Sequence, residues 1–253
     1  MRALDIDRGL VLFQFEPEPG GFEGLNALAV VEGREVILVD AGYEANAEEI
    51  AAWLAERGLE VTSVIATHFH PDHVLGSRRF PAAALVGSAA YRVTTEVWFE
   101  VAALDSLKPD IAVADRLTLR LGARVLEIES QSGHSEDSLA VLIDGSWMHV
   151  GDNLLLSNDG RPILPSVQAR PIAKHIAALR GLLARSHLRF IPGHGGILAE
   201  RAERERDLLD RIAYLEVVEA AKGDISLADA CRGLSRPFLG ESWHEENCRS
   251  ARP

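Results

Sequence analysis

The sequence predicts an α/β (α+β) protein built as a four-layer αββα sandwich, in which helices flank two β-sheets and a metal site lies at one edge. Two observations support this prediction. The order hairpin, aspartate, helix, strand and histidine occurs twice along the chain. Both copies end in metal-competent side chains, so two similar sheets packed face to face would bring these ends together at one edge of the sandwich.

The first copy comprises a strand, a hairpin, a helix and a second strand. Apolar and β-branched runs predict the strands, and Glu32-Gly33-Arg34-Glu35 predicts the turn of the hairpin. The helix is predicted because Ile50, Trp53 and Leu54 fall on one face and Gly58 supplies a C-cap. The predicted boundaries are 10–15 for the first strand, 28–31 and 36–39 for the hairpin, 46–57 for the helix and 61–65 for the last strand.

The second copy repeats this order at weak sequence identity. Asp152 ends its hairpin as Asp40 ends the first hairpin, and His194 follows its last strand as His68 follows the strand at 61–65. Apolar residues on one face again predict the helix. The predicted boundaries are 125–128 for the first strand, 139–143 and 147–150 for the hairpin, 172–184 for the helix and 188–191 for the last strand.

An apolar stretch over residues 88–107 separates the two copies and is predicted to be helical. Two interpretations of it stay open. The stretch packs on the sheet, or it forms a lid or pocket wall in which Trp98 and Phe99 contact the substrate.

The chain is predicted to divide at about residue 198. Residues 1–198 form the sandwich domain, and residues 199–253 form a C-terminal helical extension packed on the same domain. An exposed amphipathic helix is predicted over 198–221, with a short helix near 225–234. The polar end, 241–253, is predicted to be loose.

A cluster of metal-competent side chains follows the strand at 61–65. On an extended backbone, residues two apart share a face, so His68 and His70 point the same way. Pro71 ends the strand, and a helix that begins at Asp72-His73 turns two more such side chains back towards the first pair. Four such groups within six residues indicate a metal site rather than a chance group of histidines on a solvated turn.

This segment resembles the His-x-His-x-Asp-His signature of the metallo-β-lactamase fold superfamily. Three downstream elements fit the order of that family: Ser132-Gly133-His134-Ser135, Gly151-Asp152-Asn153 and Pro192-Gly193-His194-Gly195. The resemblance spans roughly residues 10–197 and implies the αββα fold and two metal ions. It implies a first metal held by His68, His70 and His134, a second held by Asp72, His73 and His194, and Asp152 as the bridge between them.

The implied cofactors are two divalent cations, with Zn²⁺ favoured and Mn²⁺ or Fe²⁺ as alternatives, because three neutral imidazoles suit such ions and leave a position for water. Water shared by two cations ionises near neutral pH. The resemblance therefore implies a metal-bridging hydroxide that attacks an ester, lactone or thioester carbonyl. Asp72, which would orient this hydroxide, and Asp152 are the candidate catalytic residues. Asp40 is the candidate to accept the outer N–H of a ligating histidine.

The resemblance favours a metal-dependent hydrolase of the lactonase or glyoxalase II-like subgroup. It disfavours a true β-lactamase, since those enzymes lack a bridging aspartate at the position of Asp152, and the flavodiiron proteins, which have glutamate where His70 stands. The pattern of the glutathione-binding domain of true glyoxalase II is absent after His194. Two alternatives stay open: a mono-iron sulfur dioxygenase, which would use His68, His134 and Asp152, and a phosphodiesterase-type hydrolase.

Composition and charge narrow the partners. A net charge of −12 disfavours nucleic acid, which requires a basic face. No apolar run approaches the roughly 20 residues that cross a bilayer, and acids occupy the place of a signal-peptide core, so we expect a cytoplasmic protein with no membrane partner. We expect a small-molecule substrate, and a homodimer stays open. Arg170 is interpreted either as a clamp for an anionic substrate or, more simply, as a surface arginine. The remaining histidines with no ligand role are His149, His175, His187 and His244.

Overall fold

The computed structural model describes residues 1–252, so Pro253, which the predicted C-terminal extension includes, lies outside the described residues. The strands are β1 (Arg2–Asp7), β2 (Leu10–Gln14), β3 (Asn26–Glu32), β4 (Glu35–Val39), β5 (Glu60–Ile65), β6 (Ala84–Ser88), β7 (Ile111–Val113), β8 (Arg116–Leu121), β9 (Arg124–Ser130), β10 (Leu139–Ile143), β11 (Trp147–Leu155) and β12 (Arg189–His194). The α-helices are α1 (Glu44–Glu56), α2 (Pro71–Val74), α3 (Arg92–Trp98), α4 (Val101–Leu104), α5 (Ala173–Ala184), α6 (Arg201–Ala220), α7 (Leu227–Ala230) and α8 (His244–Ser250).

The strands form two sheets. One sheet has seven strands in the order β1-β2-β3-β4-β5-β6-β7, and the other has five in the order β12-β11-β10-β9-β8. Each sheet contains an antiparallel hairpin, β3–β4 or β10–β11, whose second strand pairs in parallel with the strand that follows the helix. The second strands, β4 and β11, therefore end on the same side as β5 and β12, and this side carries the metal-competent residues.

Successive side chains of each strand point to opposite faces of its sheet, and both faces of each sheet are packed, which produces a four-layer sandwich. Residues on the inner faces, such as Leu12 and Val141, pack between the sheets. The opposite face of the first sheet packs under α1, where Phe13 and Ile50 belong to one apolar cluster. The opposite face of the second sheet, with Met148, is covered by α5 and α6. The predicted αββα architecture is confirmed.

The predicted repeat is present, with one difference. Asp40 follows the last residue of β4, as expected, whereas Asp152 lies within β11, which continues to Leu155. Strand β11 pairs with β12 irregularly after His149, so the chain reaches Asp152 with its pairing displaced. Gly151, with φ at +52°, supplies the left-handed backbone conformation at this irregularity.

The sequence patterns missed four strands. β1 and β8 alternate polar and apolar residues and form the outer edges of the two sheets, so they contain no continuous apolar run. β6 was not recognised because its last residue, Ser88, was assigned to the predicted helical stretch at 88–107. β7 was not recognised because it has only three residues. That stretch is not one helix. It consists of α3, α4 and a 3₁₀ turn, separated where Phe99 and Glu100 adopt extended conformations.

The chain after residue 198 packs on the second sheet. Leu208 and Leu215 of α6 share an apolar cluster with Leu179 of α5. The predicted apolar face of this helix is confirmed, but its polar side is only partly exposed, because Arg211 and Asp207 are fully buried as an ion pair and Arg211 also donates to two backbone carbonyls. The prediction of a loose polar end was also wrong for the described residues, which form a 3₁₀ turn and α8. Among residues 1–252, no helix is both long and apolar enough to cross a membrane.

Candidate metal centre

The structure brings all seven predicted ligands together at one edge of the sandwich. They fall into two sets, within each of which one atom per residue lies within 4.8 Å of the others. The first set is His68, His70, His134 and Asp152, and the second is Asp72, His73 and His194. The turn after β5 supplies four of these residues, while the second half of the chain supplies His134 before β10, Asp152 within β11 and His194 at the end of β12.

In the first set, three imidazole nitrogens converge on one point. Nδ1 of His70 lies 2.9 Å from Nε2 of His68 and 3.1 Å from Nε2 of His134. Oδ2 of Asp152 lies 3.7 Å from Nε2 of each of these two histidines. These separations match those between ligands placed about 2.0–2.2 Å from a common cation.

In the second set, the imidazoles of His73 and His194 lie next to each other and close to two carboxylates. Their Nε2 atoms are 3.3 Å apart, and Asp72 Oδ2 lies 3.2 Å from that of His194 and 3.6 Å from that of His73. Asp152 reaches this set as well, because its Oδ1 lies 3.4 Å from His73 Nε2. Oδ2 of Asp152 also lies 3.5 Å from His194 Nε2, so this carboxylate lies between the two sets.

The electrostatics of the two sets differ. Burial lowers the pKa of His68 well below its usual range, and it lowers that of His134 to about 4, so these imidazoles are neutral and able to coordinate. In the second set, burial opposes protonation, but the carboxylates of Asp152 and Asp72 outweigh it and raise the pKa of His194 to about 10. The pKa of His73 is raised well above its usual range in the same way. The second set therefore favours positive charge.

Asp40 supports the second set from behind. Its Oδ2 accepts a hydrogen bond from His73 Nδ1 at 2.9 Å, which leaves Nε2 free to face the site. The same carboxylate accepts from the Thr67 backbone N–H at 2.7 Å and the Thr67 hydroxyl at 2.8 Å. Asp40 lies where the sequence placed it, as an acceptor for a metal-competent histidine.

The first set is supported by the segment between β11 and α5. The carbonyl oxygen of Ser166 accepts from His134 Nδ1 at 2.8 Å, and Gln168 Oε1 lies 2.9 Å from His70 Nε2. Sequence reasoning missed both residues because it searched this segment for charged side chains. A signal was available, since outer N–H groups of ligating histidines require acceptors and Gln168 is a polar side chain in the segment that follows Asp152.

The C-terminal helix α8 holds that supporting segment in place. Asn247 is buried, donates to the Pro165 carbonyl at 2.6 Å and accepts from the Val167 N–H at 3.1 Å. Ser250 Oγ donates to the Val167 carbonyl at 2.8 Å. Hydrogen bonds therefore connect α8, through the segment around Ser166, to His134.

The donor set fits divalent cations. Oδ1 of Asp152 is buried with no hydrogen-bond partner in the described part of the chain, although a buried carboxylate oxygen is costly without one. Imidazole nitrogens and carboxylate oxygens are the ligands that Zn²⁺ takes. Gly193 allows the close approach, because a Cβ there would collide with Oδ1 of Asp152 and press on His73. The residues present therefore suit metal ions at both sets.

A pocket of about 330 Å³ opens onto the two sets. Trp98 lines it, with its ring centroid 5.0 Å from that of His70. The structure does not bring the other two predicted substrate residues to this pocket. Phe99 is partly buried against the apolar cluster under the first sheet, and Arg170 is exposed outside the lining. Sequence reasoning missed Glu23, Tyr43, Trp243 and Glu246, which are lining residues outside both sets.

Three of the other histidines are buried and belong to neither metal set. His149 and His175 are completely buried, and burial lowers the pKa of His149 to about 4 and that of His175 to about 3. His244 is buried against Tyr214, whose hydroxyl lies 2.9 Å from its Nδ1.

Relatives of this chain include enzymes of different reaction classes. It is 30% identical over 148 residues to human mitochondrial persulfide dioxygenase ETHE1, covering 58% of this chain and 53% of that protein. It is 26% identical to a lactamase-like protein of Pestalotiopsis microspora, with 77% of this chain and 60% of that one covered. The match to hydroxyacylglutathione hydrolase of Parasynechococcus marenigrum is 29% identical over 78% of each chain. The match thus spans only about half to three fifths of the first two proteins.

Solved structures and a family model agree on the fold. The DIM-1 metallo-beta-lactamase exposed to ceftazidime superposes with a TM-score of 0.65 at 19% identity, over 82% of this chain and 96% of that one. A metallo-beta-lactamase from Pontibacter korlensis gives 0.63 at 18% identity, over 83% and 99%. At these identities the likeness establishes the fold alone. The model of the metallo-beta-lactamase superfamily matches residues 20–194. This protein therefore belongs to the metallo-beta-lactamase superfamily.

Proposed function

We propose that this protein is a dinuclear-metal hydrolase that cleaves an ester, lactone or thioester bond of a small molecule, with two Zn²⁺ ions as cofactors. The observation that carries the proposal is the pair of adjacent ligand sets with Asp152 between them. Two divalent cations held there would supply an activated water at neutral pH and polarise the carbonyl under attack.

The residues have distinct roles in this proposal. His68, His70 and His134 would hold one cation as neutral imidazoles, while His73 and His194 would hold the other with Asp72. Asp152 lies between the two sets, and its charge would offset part of the repulsion between the cations.

Asp72 is the residue best placed to handle a proton. It lines the pocket, and its side chain is 23% exposed, whereas the neighbouring ligands are nearly inaccessible. Its carboxylate can accept a hydrogen bond from the attacking water and orient it towards the substrate. Trp98 lines the pocket edge-on to His70 and supplies an apolar wall beside the first set.

The relatives leave a second candidate, a mono-iron persulfide dioxygenase, which is supported by the 30% identity to the human persulfide dioxygenase. In that case His68, His134 and Asp152 would form a two-histidine, one-carboxylate site for iron. The hydrolase has the support of the match to hydroxyacylglutathione hydrolase over 78% of both chains and of the complete second set.

The experiment that separates the two candidates compares metals and substrates. Chelator-treated protein is reloaded with Zn²⁺ or Fe²⁺ and assayed anaerobically with thioesters and lactones, and in air with a persulfide. We expect hydrolysis by the zinc form without oxygen and loss of this activity in His194→Ala. Iron-dependent oxygen uptake that survives His194→Ala, with no hydrolysis by the zinc form, would favour the dioxygenase.

A further inference from the structure

The pocket has a lining outside the two metal sets, and this lining is acidic and aromatic. Trp243 and Glu246 come from the C-terminal region, and Tyr43 and Glu23 come from the first half of the chain. Four carboxylates line the pocket, and no lysine or arginine does. This composition is unusual for a site that would bind an anionic substrate, because such sites present cationic side chains.

The carboxylates of Glu23 and Glu246 have no protein partner among residues 1–252, since neither forms a hydrogen bond or an ion pair there. Both are partly buried in the pocket wall. Burial raises the pKa of both groups, and for Glu246 the charges of Arg249 and Arg170 offset this only in part. Partly desolvated carboxylates without a partner favour the approach of a cation.

Aromatic rings accompany these carboxylates. Trp98 is 49% exposed and Tyr43 is 47% exposed, although both are large apolar groups that would otherwise be buried, and both line the pocket. Trp243 is partly buried at the same wall. Aromatic faces next to carboxylates bind ammonium groups, because the ring quadrupole attracts a cation and the carboxylate neutralises it.

Bound metal ions would not remove the preference of this pocket wall for a cation. Two divalent cations would be offset in part by Asp72 and Asp152, which are the lining carboxylates that belong to the two sets. The charges of His194 and Asp152 affect the pKa of Glu23, so metal ions bound at these residues would offset the negative charge of Glu23. Arg249 and Arg170 lower the pKa of Glu246 from a distance at which neither forms an ion pair with it, and neither lines the pocket, so this carboxylate keeps no direct partner.

We propose that Glu246 and Trp243 form a subsite for an amine or quaternary ammonium group, so that the substrate of this centre is a cationic ester or thioester rather than an anionic one. This inference rests on the proposed hydrolase function. It predicts poor turnover of glutathione thioesters and phosphodiesters, both of which bring negative charge into the pocket.

Three thioacetates of similar shape test the substrate class on the zinc-loaded protein. Acetylthiocholine carries a trimethylammonium group, 3,3-dimethylbutyl thioacetate replaces it with an uncharged tert-butyl group, and a third compound carries a carboxylate at that end. We expect kcat/KM to be about tenfold higher for the cationic compound than for the neutral one, and lowest for the anionic one. Equal values, or a preference for the anionic compound, would overturn the proposal.

Substitutions on α8 test the residue assignment. Glu246→Gln should bring the ratio of kcat/KM for the cationic and neutral compounds to about one. Glu245→Gln is the matched control, because the carboxylate of Glu245 is exposed and lies outside the pocket lining. This variant should keep the full ratio. An unchanged ratio in Glu246→Gln would show that this carboxylate does not bind the cation.

Binding without turnover separates failure of the subsite from failure of the function. Calorimetric titration of the zinc-loaded protein compares choline with 3,3-dimethylbutanol, and choline should bind about tenfold more tightly. If no thioester is cleaved but choline is preferred, the hydrolase proposal fails and the subsite stands. If thioesters are cleaved and choline is not preferred, the subsite fails and the hydrolase stands.

Discussion

Asp40 and Asp152 occupy corresponding places in the two halves of the chain, yet their carboxylates have opposite surroundings. Asp40 is fully buried and accepts hydrogen bonds from the N–H and hydroxyl of Thr67 and from His73 Nδ1. Asp152 has a buried Oδ1 without any hydrogen-bond partner in the described chain, and its oxygens face histidines of both metal sets.

The comparison shows that the repeated fold provides a position and that neighbouring donors decide its use. In the first half, Thr67 supplies two donors, so the carboxylate at the end of β4 becomes a support. In the second half, β11 continues past the carboxylate, and the corresponding donors are replaced by histidine nitrogens. A carboxylate that already accepts three hydrogen bonds within the protein has little capacity left for a metal, whereas one with a buried, unpaired oxygen is suited to it.

The largest expected effect comes from Asp152→Asn, which keeps the shape of the side chain but removes its charge. The amide keeps one oxygen but replaces the other with an NH₂ group that cannot coordinate, so the two sets lose their anionic bridge, and Zn²⁺ affinity and kcat should each fall by about 100-fold or more. Chelator-treated variant and wild type should show similar circular dichroism, which checks that the fold persists. Full activity with both metals retained in the variant would contradict the assignment of Asp152.

Asp40→Asn should have a smaller effect, confined to one set. The amide cannot accept all three hydrogen bonds, so His73 loses its fixed orientation and the second metal should bind about 10–100-fold more weakly. The metal-free protein should lose about 1–3 kcal/mol of unfolding free energy, because a buried donor is left unsatisfied. Metal competition and urea titrations measure the two quantities. A larger loss of metal affinity than in Asp152→Asn would reverse the proposed roles.

Asn247→Ala should affect the first metal set, because Asn247 positions the segment that supports His134 and His70. Without Asn247 the Pro165 carbonyl and the Val167 N–H lose their partners, so the segment that holds His134 and His70 loosens. We expect about tenfold weaker binding of the first metal and no change in the second. Tyr214→Phe is the control, since it removes a contact with Asn247 but leaves the segment bonded. Equal weakening of both metals would indicate only a general loss of structure.

The last expected effect does not involve metal binding: it is on acid stability, and it belongs to the second half, where His149 and His175 are buried. The folded pKa of His149, about 4, lies below its usual value of 6.5, so the unfolded chain binds the proton first and stability falls as pH drops below 6.5. His149→Asn keeps an acceptor for the Gly151 N–H without titrating. Between pH 7 and pH 5, the metal-free variant should lose about 2 kcal/mol less unfolding free energy than wild type. Identical losses in urea titrations would contradict this.

The sequence was sufficient to predict the repeated unit and the seven residues that meet at the site. Short-range patterns indicate the repeated unit and the cluster at residues 68–73, because β-branched runs, a hairpin turn and spacing along a strand fix the direction of nearby side chains. His134, Asp152 and His194 were assigned through the resemblance to the metallo-β-lactamase fold superfamily. The edge strands β1 and β8 escaped notice because their alternating patterns lack continuous apolar runs.

The parts that were missed depend on long-range packing. Arg211 has the sequence pattern of a surface residue, yet it is buried because Asp207 and two backbone carbonyls satisfy it. Trp243 and Glu246 lie in a polar segment about 50 residues beyond His194, and only the docking of α8 through Asn247 brings them to the pocket. No local pattern indicates such docking, so neither residue could be recognised from the sequence.

The measurement that tests the central claim most directly is the number of metal ions bound per chain. Chelator-treated protein is titrated with Zn²⁺, and the bound metal is determined by elemental analysis after gel filtration. We predict saturation at two ions per chain, because two complete ligand sets share Asp152. Saturation at one ion under excess Zn²⁺ would contradict the account of a dinuclear centre.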